Sequence, residues 1–461
     1  MGVLLAIFCF LQIELQTGCA VIIPPTGGPR DTLPPQLLNE NPHDSTLNFR
    51  GNRIVFTFDE FVEVQDVSKN LLFMPSVGKD PAVNYKLRTI TVRLPDLQPN
   101  TTYTLSLGDA IRDIDEANVL RNFHYTFSTG PVMDTMQYSG RIISAETGTV
   151  DTTMQVLLYK DLSDSAVLKK DPLYVSKVDR NGNFAFHNLP RDTFAIYGVE
   201  VAGSFRRYQD RSKLFAFANQ PVIIGQSSPD TLYAYREQPK KNLNQPTTIG
   251  NVKAAPNEKQ RLRFTNNIQG GQQDLLDSLI LTFATPLRTL DTSKIQVSTD
   301  SAYTPAPFST RLDTSKTLLT IFSTWKENTP YNIVLQKDFA TDTLGRQLLR
   351  ADTIHFTTKR ISDYGTLAIR VRNVDPSKNP VLQFVQNDKV MYSTSVKSGV
   401  FNARLFLPGD YDLRILYDQN NNLKWDPGQF PTKKKQPELV HPLNKKISVK
   451  AAWDNQFDVT L

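Results

Sequence analysis

Hydrophobic and polar side chains alternate with a period of two along most of this chain. Ile54, Phe56 and Phe58 fall on one side of a segment whose other side carries Arg53, Thr57 and Asp59. Tyr103, Leu105 and Leu107 alternate with Thr104 and Ser106, and Leu279, Leu281 and Phe283 repeat the pattern later. A two-residue period predicts antiparallel strands with one face buried and one wet. Long apolar stripes of helical period are absent after the first few residues, and turn residues recur at short intervals. The pattern predicts an all-β protein with no helix beyond its amino-terminal segment.

The strands come in repeated groups, which settles the architecture. RIVFTFDEFVEVQDVSKNLLF, from Arg53, matches SLILTFATPLRTLDTSKIQV, from Ser278. Downstream of each lie two alternating strands, an N-T-x-Y corner (Asn100 and Tyr103; Asn328 and Tyr331), an Asp-rich turn and a closing aromatic strand. A second type of unit follows each of these. VDRNGNFAFHNLPRDTFAIYGV, from Val178, and VKSGVFNARLFLPGDYDLRILYD, from Val396, share a glycine, a phenylalanine two residues on and a Leu-Pro. The prediction is four tandem β-sandwich domains in an A-B-A′-B′ arrangement, at residues 33–130, 134–236, 260–359 and 362–461. Within each A-B pair the joint is only a few residues long and should be stiff. Residues 237–259, rich in Pro, Asn and Lys, form the expected linker and hinge.

The amino terminus has a different logic. The apolar run at residues 3–15 is too short for a membrane-spanning helix, which takes roughly 20 apolar residues, and has the length of a signal-peptide core. Residues 1–18 are therefore expected to be an export signal that ends at Gly18, just before Cys19. Cys9 leaves with the signal, so Cys19 has no partner for an intramolecular disulfide. The Gly18-Cys19 junction resembles a bacterial lipobox, in which the cysteine becomes the lipidated first residue. It departs from that pattern at Gln16 and in having no Lys or Arg before the cysteine. Residues 19–32, with Pro24, Pro25, Gly27, Gly28 and Pro29, read as the lipidated cysteine and an extended spacer.

Two further stretches carry a family resemblance. DTLPPQLLNENPHDSTLNFRGNRIVFTFDE and NTTYTLSLGDAIRD resemble bacterial Ig-like domains of the S-layer (SbsA) type. The G-x-F-x-F-x-x-L-P of the B units resembles carboxypeptidase-regulatory-like, or transthyretin-like, β-sandwiches. The whole chain, CAVIIPPTGGPRDTLPP included, is similar to Ig-like-domain lipoproteins of Bacteroidota. That resemblance implies display or binding, with no catalytic domain, and an outer-membrane lipoprotein whose cell-surface placement is favoured over the periplasmic face.

Charge excludes little else. The net charge is +6, one unit higher once Glu14 leaves with the signal, and basic residues are interspersed with acidic ones apart from Lys240-Lys241, residues 433–435 and Lys445-Lys446. Nucleic-acid binding would need a basic stripe with interleaved aromatics, which is not present. The five histidines are scattered, and no G-x-S-x-G, P-loop or dinucleotide-binding glycine pattern occurs. No catalytic residue and no organic cofactor is expected.

The sharpest motif is YDQNNNLKWDPGQF. Asp418, Asn420, Asn422 and Asp426 fall at positions 1, 3, 5 and 9 of a calcium loop, where alternate oxygens converge on a cation. Leu423 stands where the loop takes a glycine and Gln429 where it takes a bidentate glutamate. With only two carboxylates the stretch reads as an Asn-rich hairpin loop, and no functional metal is expected. Asp109, Asp113, Asp115 and Glu116, with Asp338 and Asp342 in the later copy, read as turn-forming carboxylates.

Two functions fit. One is a non-catalytic scaffold or accessory subunit of an outer-membrane β-barrel complex, partnered by the barrel or by other lipoproteins and held to the membrane through lipid on Cys19. The alternative is a surface adhesin or glycan-binding lipoprotein, for which Trp325 and Trp425 are the tryptophans placed in loops where a sugar could stack.

Overall fold

The computed structural model describes residues 30–201, 206–238, 261–299 and 302–461. Strands dominate these residues, and the only α-helices among them are two single turns, Val67–Asn70 and Ala166–Lys169. Four apolar cores succeed one another along the chain, as tandem β-sandwiches require.

In the first module the strands Leu37–Asn41, Arg53–Phe58, Thr89–Arg93 and Ala82–Lys86 form an antiparallel sheet in that order. A second sheet, Phe123–Ser128, Thr102–Gly108 and Leu72–Met74, faces it. The alternation in the sequence decides what lies between them: Ile54, Phe56 and Phe58 are fully buried, as are Tyr103, Leu105 and Leu107. The third module repeats the first sheet with Phe264–Asn266, Leu279–Phe283, Leu318–Ser323 and Phe308–Leu312 in the same order.

The shared N-T-x-Y corner explains why the copies fold alike. Asn100 and Asn328 both adopt left-handed backbone, at φ +50° and +48°, a conformation that asparagine tolerates. The hydroxyl of Tyr103 accepts the Gln98 N–H at 2.8 Å, and that of Tyr331 accepts the Lys326 N–H at 3.2 Å. Thr129 Oγ1 accepts from the Thr101 N–H and Thr358 Oγ1 from the Thr329 N–H, at 3.0 and 2.9 Å. Each corner thereby pins a buried tyrosine to the backbone a few residues upstream, a device of Ig-type sandwiches.

The second and fourth modules share another topology. The strand Met136–Ser144 lies between Asn183–Leu189, antiparallel, and Thr231–Ala234, parallel. Gly365–Arg372 lies in the same way between Val400–Phe406 and Asp454–Thr460. In both modules the first strand therefore pairs in parallel with the last, which brings the two ends of the module together.

The modules are not two stiff pairs on a free hinge. Glu237 and Gln238, assigned above to the linker, belong with the second module, where Arg211 pairs with Glu237 at 3.2 Å and its carbonyl accepts the Gln238 N–H. Residues 239–260 lie outside the described residues, but the second and fourth modules touch directly through a seam described below. The first joint is tied by Ser76 N–H to Leu173 O at 2.8 Å and by the Asn188 amide to Thr104 and Thr126. The third and fourth modules meet where Tyr364 donates to Asp274 at 2.8 Å and accepts from the Leu275 N–H.

Candidate functional site

Asp418 and Glu438 stand at the open end of a hairpin. The strand Gly409–Tyr417 pairs with Leu439–Val449, with Tyr417 opposite Leu439, so the residue after the one and the residue before the other are brought face to face. Both carboxylates are fully buried. Between them the chain makes a long excursion that contains the whole predicted loop.

The loop is wired by its own donors. Asp418 accepts from the N–H groups of Asn420 at 3.1 Å and Leu423 at 2.7 Å. The side chains of Asn420 and Asn422 both donate to Asp426 Oδ2, and their Oδ1 atoms accept from the Asn422 and Lys424 N–H groups. Leu423 occupies left-handed backbone at φ +62°, so the turn that a glycine would make is made without one.

Glu438 changes the reading of this loop. Its two oxygens accept from the N–H groups of Gln419 at 2.8 Å and Asp426 at 3.0 Å, and its carbonyl accepts from the Trp425 indole at 2.8 Å. Burial first, then the charges of Asp418 and Asp426, push its carboxyl up, against the pull of those two N–H groups. The stretch thus holds three carboxylates, where the sequence spacing counted two. Gln429, at the position of the expected glutamate, instead exchanges backbone hydrogen bonds with Lys435.

Asp418, Asn420, Asn422, Asp426 and Glu438 make an all-oxygen set, the type a hard cation such as calcium takes. Here the oxygens of Asp418, Asn420, Asn422 and Glu438 accept from backbone N–H groups and Asp426 Oδ2 accepts from the two asparagine amides, and among the described residues no group of three His, Cys, Asp or Glu side chains is disposed to hold a metal. The loop's evident work is mechanical: it roots an arm, residues 425–437, that reaches the second module.

Phe430, at the tip of that arm, is 1% exposed. Its ring lies 4.9 Å from Phe215, 5.2 Å from Phe217 and 5.8 Å from Tyr197, between ring centroids. The Phe430 N–H donates to Glu237 at 3.0 Å, and the Gln436 amide donates to the Phe217 carbonyl and to Asn219, both at 2.9 Å. Lys434 pairs with Asp164 at 2.6 Å, and the Val440 N–H donates to the Ala145 carbonyl.

The second module needs this cover because its sheet is apolar on both faces. Val156, Leu158 and Ile196 enter its own core, while Leu157, Tyr159, Tyr197 and Val199 form a second cluster with Leu72, Tyr208 and Phe430. The signal was present in VLLY and FAIYGV, apolar runs without alternation, which is the mark of a strand covered on both sides.

Two glycines permit the close approach. A Cβ on Gly148, at φ +70°, would meet Pro442 Cδ at 2.4 Å, and one on Gly428 would meet the Tyr235 ring at 2.6 Å.

The other candidates separate. Cys19 lies outside the described residues. Asp113 is buried and accepts from the N–H groups of Glu116, Ala117 and Asn118 at 2.6, 2.8 and 2.8 Å, and Asp109 accepts from Asn122. Asp342 has the same place in the third module, accepting from the Leu344 and Arg346 N–H groups. These carboxylates build turns. Trp325 is not a sugar platform, because it lies in the third core against Tyr331 and Phe356 at 5.0 and 5.4 Å. Trp425 is packed at the seam. His124 and His355 are exposed, as their positions on alternating strands require.

Comparison with known proteins finds a similarity over the span of the first module. The bacterial Ig-like domain model matches residues 31–129. No curated protein matches the chain. Among solved structures, the Bacillus anthracis TIE protein aligns at 10% identity over 94% of this chain and 75% of that one, with a TM-score of 0.17. BcpA, the major pilin subunit of Bacillus cereus, aligns at 11% over 70% and 98%, with 0.15. The S-layer protein rSbsC(31-844) aligns at 12% over 91% of this chain but 41% of that one, also with 0.15. Scores this low carry no inference about architecture or role.

Proposed function

We propose that the chain is a non-catalytic, lipid-anchored outer-membrane protein that acts as a scaffold or accessory subunit of a β-barrel complex. The observation that carries this reading is the seam of Phe430 with Phe215, Phe217 and Tyr197, backed by the ties at the other two joints. A chain that commits buried aromatics to fixing its modules against one another is built to hold a shape. In the same reading the first module's Ig-like fold serves display, the second and fourth modules are regulatory-like sandwiches, and no cofactor or nucleic acid is involved.

The anchor is lipid on Cys19, with the rest of the chain on the cell-surface side. No helix among the described residues is long and apolar enough to cross a membrane. Two or more acyl chains would make attachment durable where one is marginal. Confinement to the layer that holds the barrel raises the effective concentration of the partners without any added contact.

Affinity purification through a carboxy-terminal tag, after mild detergent extraction, tests the scaffold. The expected result is at least one outer-membrane β-barrel protein in near-stoichiometric amount. Recovery of the protein alone, from several detergents and from crosslinked cells, contradicts it. Saturable binding of a polysaccharide by the soluble fragment would instead support the adhesin or glycan-binding reading.

A further inference from the structure

One end of the first module exposes apolar side chains that its core does not use. Tyr85 and Leu87 are 49% and 61% exposed at the turn of the hairpin Ala82–Lys86 with Thr89–Arg93. Phe61 and Ile114 are 45% and 51% exposed. Backbone hydrogen bonds place Phe61, Leu87 and Ile114 together: the Val62 N–H donates to the Leu87 carbonyl at 2.9 Å and the Ile114 N–H to the Phe61 carbonyl at 3.1 Å. A groove of about 640 Å³ runs between Phe61 and residues 84–89.

The charges at this tip are placed for an interface. Lys86 and Arg88 flank Leu87 and are exposed, and the Arg88 guanidinium lies 5.5 Å from the centre of the Phe61 ring. Neither forms an ion pair with a described residue. Aromatic and aliphatic tips bracketed by Lys and Arg suit the boundary of a bilayer, where the apolar part enters and the cation stays at the phosphates. Asp31, Asp59, Glu60 and Glu116 lie at the same end of the module, which disfavours a strongly anionic surface and favours a zwitterionic one.

The chain itself says which surface is near. Its first described residue, Arg30, donates to the Glu116 carbonyl at 3.3 Å, and the Asp31 carbonyl accepts from the Asn118 side chain at 3.2 Å, so the amino terminus enters the module at this end. Residues 20–29 can span at most about 36 Å. A lipid on Cys19 therefore keeps this tip within that reach of the bilayer.

We propose that Phe61, Tyr85, Leu87 and Ile114 dock into the headgroup boundary of the membrane that holds the lipid anchor, with Lys86 and Arg88 at its phosphates. This rests on the lipidation proposed for Cys19. It gives the scaffold a fixed orientation on the membrane, which a flexible tether alone would not.

The test uses the full acylated chain in phosphatidylethanolamine-rich vesicles, with an environment-sensitive fluorophore on Leu87→Cys and, as control, on Leu344→Cys in the third module. Lipids carrying a nitroxide on the headgroup or shallow acyl positions should quench the probe at 87 severalfold more than the probe at 344. Adding Phe61→Asp should abolish that difference. Flotation of the unlabelled protein reports the anchor separately. Flotation without quenching at 87 overturns the docking and leaves the lipid anchor standing, while loss of flotation overturns both. Protection of the probe at 87 only when a co-purified protein is present, and not in vesicles alone, overturns the membrane docking in favour of a protein partner at this tip.

Discussion

The ring of Phe430 lies 4.9 Å from that of Phe215, although the two belong to different modules, the fourth and the second. The second module leaves a row of aromatics on the outer face of its sheet, and the fourth extends an arm to cover them. The seam is therefore part of the second module's own burial, and losing it would expose Phe215 and Phe217.

Replacing Phe430 with Ala should cost about 3–5 kcal/mol of the seam's stability, the usual penalty for removing a buried Phe side chain. The four cores do not otherwise depend on it. Limited proteolysis should therefore open a cleavage site in the arm at residues 425–437 while the individual modules survive. Unchanged resistance of the arm would show that Phe430 carries none of the docking.

Gly148→Ala should loosen the same seam from the other side. The added methyl meets Pro442 at 2.4 Å and sits on left-handed backbone, so both modules must shift to admit it. The expected signature is seam opening with the second module's melting temperature lowered by a few degrees. A variant that keeps the wild-type seam would mean the backbones can separate there at little cost.

The buried turn carboxylates set an acid limit. Burial pushes Asp113 up, but the N–H groups of Glu116, Asn118 and Ala117 outweigh it and hold the carboxyl below its ordinary value. Asp342 is held low in the same way by Arg346 and Leu344. A depressed folded value contributes stability above the unfolded value of about 3.9, lost as pH falls through the folded one. Asp113→Asn should therefore cost about 2–3 kcal/mol at neutral pH, with the difference from wild type shrinking toward pH 2. A constant difference across that range would contradict the assignment.

Glu438 has the opposite sign. Its carboxyl is raised, so its contribution is present below its unfolded value and falls away as pH rises through the folded one. Both oxygens of Asp418 and of Glu438 and one oxygen of Asp426 already have internal donors, so calcium and chelator should give melts that agree within about a degree. A chelator-sensitive shift at sub-millimolar calcium would make Asp418, Asp426 and Glu438 a cation centre, by mass action on the folded state.

Cys19→Ala should leave the protein soluble or uncleaved. Persistence in the membrane fraction after a high-salt wash would identify a different anchor.

Much of the fold was legible because its determinants are local. The alternation of Ile54, Phe56 and Phe58 sets one sheet face, and the Asn100 and Asn328 corners recur with the same geometry. Asp113 was readable as a turn former for the same reason. Glu438 was not, because only the pairing of Tyr417 with Leu439 brings it to Asp418. The seam was missed because Phe430 looks like any loop aromatic until the double-faced runs VLLY and FAIYGV are seen to lack cover. Trp325 misled because a residue outside the strands can still fill a core.

The most direct test of a chain held as one scaffold is a distance between the second and fourth modules. Spin labels at Ile223→Cys and Met391→Cys, in a chain with Cys9 and Cys19 replaced, occupy exposed positions on the two. Pulsed dipolar spectroscopy should give a single narrow distance distribution in this protein and a broad one after Phe430→Ala. A broad distribution with Phe430 intact would contradict the account.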